Sequence, residues 1–188
     1  MQKETLKTTI TENLIFNSIL DVNRTDWSLV NNNSNIYLYW NYLFSLEKSM
    51  ENEMDFVYSI SYNSEKKPVL IAAYQVVKFT TNKKKCPKVL LNHKPHNVSF
   101  NLLVCGNVFS NGENGFIKTS DINYNEAIEE LTSIAKRIKK TNTKKKISIT
   151  LFKEFSTGSI EKTASFKNHK YNDFMVDVNM VLQIHNDW

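Results

Sequence analysis

The sequence predicts a mixed α/β domain. Three observations carry this. Two strand-like runs, residues 56–62 (FVYSISY) and 69–80 (VLIAAYQVVKFT), flank a polar turn at 63–68. Residues 123–140 carry an apolar stripe at helical spacing. A further β-branched run, 146–155 (KISITLFKEF), follows that helix directly and reads as the second strand of a strand–helix–strand unit.

Length and composition agree. The chain has 188 residues, enough for one core of ordinary size. Hydrophobic residues make up 41% and charged residues 23%, a globular balance. Gly (4) and Pro (3) are too scarce for collagen-like or low-complexity structure. The net charge is +5, and Lys residues form short runs read as loop positions: Lys83 to Lys85, Lys139 with Lys140, and Lys144 to Lys146. Such runs read as solvated charge, with contact to an anionic ligand or RNA as the sharper alternative.

Cys86 and Cys105 form no CxxC and have no zinc-like spacing with histidine. Cys105 lies in an apolar run and reads as a small buried hydrophobe. His93 and His96 lie three apart without further ligands and read as surface histidines. No apolar run approaches the roughly 20 residues of a membrane helix, and residues 1–10 lack a signal-peptide core. The expectation is a cytoplasmic protein without metal.

Taken in order, residues 13–21 (NLIFNSILD) have strand character, and a polar turn leads to Trp27. Asn33 or Ser34 caps a helix over 36–49, whose face carries Ile36, Trp40, Leu43, Phe44 and Glu47. That face is a core face or the wall of a substrate groove. The hairpin 56–80 follows, then a basic loop over 81–97 containing Pro87 and Pro95. Residues 98–109 (VSFNLLVCGNVF) form a third strand. The Asn111–Gly112 step favours positive φ and a hairpin into a short strand starting at Gly115.

The helix over 123–140 buries Ala127, Ile128, Leu131, Ile134, Ala135 and Ile138, and Asn123 with Glu126 forms a capping box. Glu126, Glu129 and Glu130 lie early and Lys136, Arg137, Lys139 and Lys140 late, as the helix dipole favours. A short helix within 157–169 and a closing strand over 174–184 complete the chain.

Several segments resemble a bacterial GNAT-type acyltransferase group, the Fem-like peptidoglycan biosynthesis or recognition proteins. Trp27 through Tyr42, Leu43 and Glu47 looks like that group's W…YL..LE opening. Val104-Cys105-Gly106-Asn107, followed by Gly112 and Gly115, looks like its CGN…sG..gF segment. Lys153-Glu154-Phe155 resembles its KdF strand end. Asn179-Met180 and Trp188 resemble its PNM…W segment, with Val178 in place of the proline.

The resemblance implies a GNAT-like fold: a largely antiparallel central sheet with helices on both faces, in one domain over 1–188. It implies the front half of a two-half protein, with Trp40, Cys105, Gly106, Asn107 and Asn179 as substrate-binding candidates. It names as partners a second GNAT-like half or a homo-oligomer mate, tRNA, or a cell-wall precursor. Phe109, Phe116 and Trp188 are candidates for the docking patch.

A catalytic GNAT unit cradles the acetyl-CoA pyrophosphate on amides of a glycine-containing loop at a helix start. Here that loop reads Ile117-Lys118-Thr119-Ser120-Asp121-Ile122, without glycine and with an acidic residue. The expectation is therefore a domain that is non-catalytic alone, with no cofactor. A complete divergent acetyl-CoA-dependent N-acetyltransferase is the alternative. For that reading the acid–base candidates are Glu154, Tyr171, Asp173 and Asp177, none singled out by spacing.

Overall fold

The computed structural model describes residues 10–80, 99–142, 145–153, 155 and 159–174, with side chains omitted at 160–163. The order is β1 (Ile10–Phe16), α1 (Arg24–Asn31), α2 (Trp40–Met50), β2 (Asp55–Asn63), β3 (Pro68–Thr80), β4 (Ser99–Cys105), β5 (Phe116–Lys118), α3 (Tyr124–Thr141) and β6 (Ile147–Phe152). Short 3-10 segments lie at Ile19–Asp21, Ile36–Leu38 and Ile160–His169.

The sheet runs β1-β2-β3-β4-β6, with β5 pairing β3 off that path. All pairings are antiparallel except β4 with β6, which are parallel. Parallel neighbours need a crossover, and α3 lies within it. The fold is thus mixed α/β with a mostly antiparallel sheet.

Alternation along β2 and β3 divides the core in two. Val57, Leu70, Ala72, Tyr74 and Val76 pack with the buried stripe of α3. Phe56, Tyr58, Ile60, Ile71 and Ala73 pack with Trp27, Val30, Leu38 and Leu43 from α1, α2 and the turn between them. Successive strand residues point to opposite faces, so the helices cover both sides of the sheet.

All six predicted stripe residues of α3 are buried. The predicted capping box is present. Asn123 Oδ1 accepts from Glu126 N and Glu126 Oε2 accepts from Asn123 N, both at 3.0 Å.

Four expectations change. The first strand ends at Phe16, because Ser18 caps a 3-10 turn at Ile19–Asp21. Trp27, expected only to follow a polar turn, lies within a helix, Arg24–Asn31. Asn23 caps it, its side chain accepting from Thr25 N and Asp26 N. The next helix starts at Trp40, because Asn35 caps a separate 3-10 turn at Ile36–Leu38; Asn33 and Ser34 are not its caps. The third strand stops at Cys105, and Asn111–Gly112 does not join a hairpin: β4 and β5 both pair with β3. Gly112 does take the expected positive φ, +97°.

The basic loop at 81–97, with Cys86, His93 and His96, lies outside the described residues. The closing strand from residue 175 and Trp188 also lie outside them.

Candidate functional site

The site arises where one sheet position is interrupted. β4 lies along β3 from Tyr74↔Cys105 to Thr80↔Ser99, and β5 takes the same flank from Leu70↔Lys118 to Ala72↔Phe116. Ala73 spans the break: its N–H donates to Gly115 O at 2.9 Å, and its carbonyl accepts from Gly106 N at 3.3 Å. Residues 106–115 leave the sheet between those two glycines.

Both glycines are sterically required. Gly106 has φ +143°, and a Cβ there would lie 2.9 Å from Lys153 Cβ. A Cβ on Gly115 would lie 2.8 Å from Cys105 O.

The excursion is tied down at every stage. Val108 N donates to Gln75 Oε1 at 2.9 Å, and Asn107 Nδ2 donates to Tyr42 Oη at 2.7 Å. Asn35 Nδ2 donates to Asn114 Oδ1 at 2.9 Å, while Asn114 Nδ2 donates to Asn111 O at 2.8 Å. From the other side, Lys153 Nζ donates to Asn107 O at 2.9 Å and also to Ser110 O.

Beyond Cys105 the sheet opens. The β4–β6 ladder reaches Cys105↔Phe152, and Lys153 N donates to Cys105 O at 3.1 Å. From there β5 stays on β3 and pairs with no other strand among the described residues. The gap between β5 and the end of β6 holds a cleft of about 140 Å³, lined by Cys105, Phe116, Lys118, Tyr124, Phe152 and Phe155 among others. We call this gap the wedge.

Aromatic rings form its β6 side. Phe152 packs on Phe166 and Tyr171 with centroids 4.5 and 5.2 Å away, and Phe155 lies 5.7 Å from Phe166. Contacts among the described residues cross the gap. The rings of Phe116 and Phe155 are 6.4 Å apart, and Ser159 Oγ donates to the Glu113 carboxylate.

The loop leading into α3 forms the wedge's other end. Lys118 Nζ donates to Ile122 O at 2.7 Å and Thr119 O at 3.1 Å, and lies 4.8 Å from the Tyr124 ring centre. The cation thus stabilises inward-facing carbonyls, where an anion cradle presents amides. The capping box supplies a carboxylate to the helix dipole from within the chain. An incoming phosphate at this terminus meets Glu126 and Asp121.

Burial governs the titrating groups nearby. It pushes the Cys105 thiol far above the ordinary thiol range, so the thiolate needed for nucleophilic attack is disfavoured. Tyr74, with its hydroxyl donating to Leu131 O at 3.3 Å, is raised in the same way. Tyr171 is also raised, chiefly by burial.

The structure brings three of the five site candidates together: Cys105, Gly106 and Asn107 sit at the strand break. Trp40 does not join them. Its Nε1 donates to Ile19 O at 3.1 Å, Phe44 stacks on it at 5.5 Å and Arg24 lies 4.9 Å from the ring centre. It packs with the α1 and α2 face of the core. Asn179 lies outside the described residues, as do Glu154 and Asp177.

Asp173 pairs with Lys167 at 3.3 Å on the surface, and Tyr171 belongs to the aromatic side of the wedge. Phe109 is 54% exposed, while Phe116 turns into the wedge and does not extend an outer patch. Sequence reasoning missed Lys118, Tyr124, Phe152 and Glu113 as wedge residues. Two glycines bounding a break in an apolar run were the available signal.

Among the described residues no group of three or more His, Cys, Asp or Glu is placed to hold a metal ion. No helix among them is long and apolar enough to cross a membrane.

No family model matches the sequence, and no curated protein matches it. Among solved structures, the chain is similar to the aminoglycoside antibiotic 6'-N-acetyltransferase AAC(6')-Ih from Acinetobacter baumannii. The identity is 8%, the alignment covers 93% of this chain and 100% of that one, and the TM-score is 0.48.

Proposed function

We propose that this is a GNAT-like, N-acyltransferase-related domain that receives a ligand in the wedge but is not built to hold a coenzyme pyrophosphate. One observation carries the reading: the sheet parts after Cys105↔Phe152, with β5 on β3 alone. Acyl-CoA-binding GNAT units open their sheet between the central strands in this way, and insert the acyl-bearing arm there.

The helix start argues against the rest of the coenzyme. The N–H groups of Asn123 and Glu126 are taken up by each other's side chains, and Lys118 is drawn onto loop carbonyls. A domain of this kind supports acceptor binding or a second GNAT-like half. The Fem-like motifs favour peptidoglycan precursors or aminoacyl-tRNA as the wider context. Titration with acetyl-CoA, followed by amide NMR, tests the reading. It predicts no shifts at residues 119–126; saturable shifts there overturn it.

A second reading, a complete acetyl-CoA-dependent N-acetyltransferase, draws on the same wedge. It requires the Asn123–Glu126 box to open on binding, and the same titration discriminates the two.

A further inference from the structure

Part of the sheet has a helix on one side only. Side chains alternate between the two sides along a strand, and the ladders carry that alternation across the sheet. Phe56, Ile71 and Ala73 stand on the α1 and α2 side. By register, so do Val77 and Phe79 on β3, Phe100 and Leu102 on β4, and Ile149 and Leu151 on β6. Val77, Leu102 and Ile149 lie abreast, and the rings of Phe79 and Phe100 are 5.1 Å apart.

α1 and α2 do not reach this far. Among the described residues, their half of the core takes in none from β4 or β6. Phe79 is 44% exposed and Ile149 46%, while Phe100, Leu102 and Leu151 are half-buried. With strands about 4.8 Å apart and about 3.3 Å per residue, three strands by five residues make roughly 250 Å² of flat apolar surface. Exposed patches of a few hundred Å² mark interaction sites.

Charge decides the occupant. Among the described residues of β3, β4 and β6, this side carries no charged side chain. Just past β6, the Lys153 ammonium is held by Asn107 O and Ser110 O. The cations of Lys78 and, on α3, of Lys139 and Lys140 belong to the opposite side. An acidic protein or a nucleic acid is drawn to that opposite side. Two copies of a chain of charge +5 meet without opposing like charges only through the uncharged side.

We propose that the uncovered side of β3, β4 and β6 docks a second copy of this chain about a two-fold axis. The same rows then face each other, as in other isologous contacts of stacked sheets. The inference is independent of what the wedge receives. The patch is small beside the roughly 800 Å² per partner of a standard interface, so association depends on concentration.

Sedimentation equilibrium of the full chain, from low micromolar to submillimolar concentration, tests this. The average mass is expected to rise from that of a monomer towards twice that value, and to keep rising in high salt. Phe79→Lys and Ile149→Lys place charges where the copies meet and are expected to weaken association at least about tenfold. Both positions are exposed, and circular dichroism melts verify folding. Leu29→Lys, on the outer side of α1 and 63% exposed, is expected to leave association unchanged. A native chain that stays monomeric throughout overturns the proposal, whatever else covers the patch. So does a dimer that both strand variants retain, or one that Leu29→Lys or high salt dissolves equally well.

Discussion

Lys153, one residue past β6, places its ammonium 2.9 Å from the carbonyl of Asn107, one residue past the Gly106 break. The same ammonium binds Ser110 O, and its Cβ fills the space beside Gly106. One side chain thus fixes both the turn out of β4 and the wall of the wedge.

Replacing Lys153 by Met keeps much of the stem and removes the donor. Two half-enclosed carbonyls lose a charged partner, for an expected loss of about 1–3 kcal/mol. Urea unfolding measures it. A midpoint unchanged from the native chain contradicts the anchoring role.

Gly115→Ala is expected to destabilise by about 1–3 kcal/mol, because the added methyl meets Cys105 O and the backbone must shift. The damage should be local. Thermal unfolding checks the loss, and amide chemical-shift changes should concentrate around Cys105 and Phe116.

Trp27 is fully buried, and its Nε1 donates to Leu38 O at 2.7 Å. Trp27→Phe keeps an aromatic ring but orphans that carbonyl, at a cost of about 1–3 kcal/mol. Trp27→Ala adds a cavity, raising the loss to about 3–5 kcal/mol. Equilibrium denaturation of both variants should preserve that order.

The half-buried Glu130 has its pKa raised from 4.5, first by burial, with Arg137 and Ser61 opposing. The native state therefore holds this proton more tightly than the unfolded chain does. Its contribution to stability is present in acid and is lost as pH rises from about 4.5 through the native value. Glu130→Gln should flatten the stability profile over that window and match or exceed the native chain at pH 7. A steeper decline toward neutrality in the variant contradicts this.

Buried and with its thiol pushed up, Cys105 should resist alkylation until the molecule opens. In a Cys86→Ala background, its labelling rate at pH 8 should follow the unfolding equilibrium measured in urea. Rapid labelling of the folded chain contradicts the burial described here.

The regular parts of this fold were legible because their signals are periodic. Ala127 through Ile138 repeat at helical spacing and are all buried, and Asn123 with Glu126 marks the helix start. β2 and β3 are runs of aromatic and β-branched residues long enough to identify, with Asn63 closing the turn through bonds from Glu65 N and Lys67 N.

What was missed depends on single side chains. In α1 only Trp27, Val30 and Asn31 are buried, so the stretch reads as polar until Asn23 is seen to cap it. The run over 98–109 continues past Cys105 with Val108 and Phe109, yet Gly106 turns it out of the sheet and Val108 N bonds to the Gln75 side chain instead of to a strand backbone. The wedge was invisible because it depends on β5 returning to β3, a long-range pairing that no local pattern encodes.

A thermal melt with and without saturating acetyl-CoA tests the central claim most directly. Binding to the native state raises the midpoint in proportion to the logarithm of ligand concentration. With the start of α3 held by Asn123 and Glu126, the midpoint should not move. A midpoint that climbs steadily with acetyl-CoA contradicts the account and identifies a working donor site.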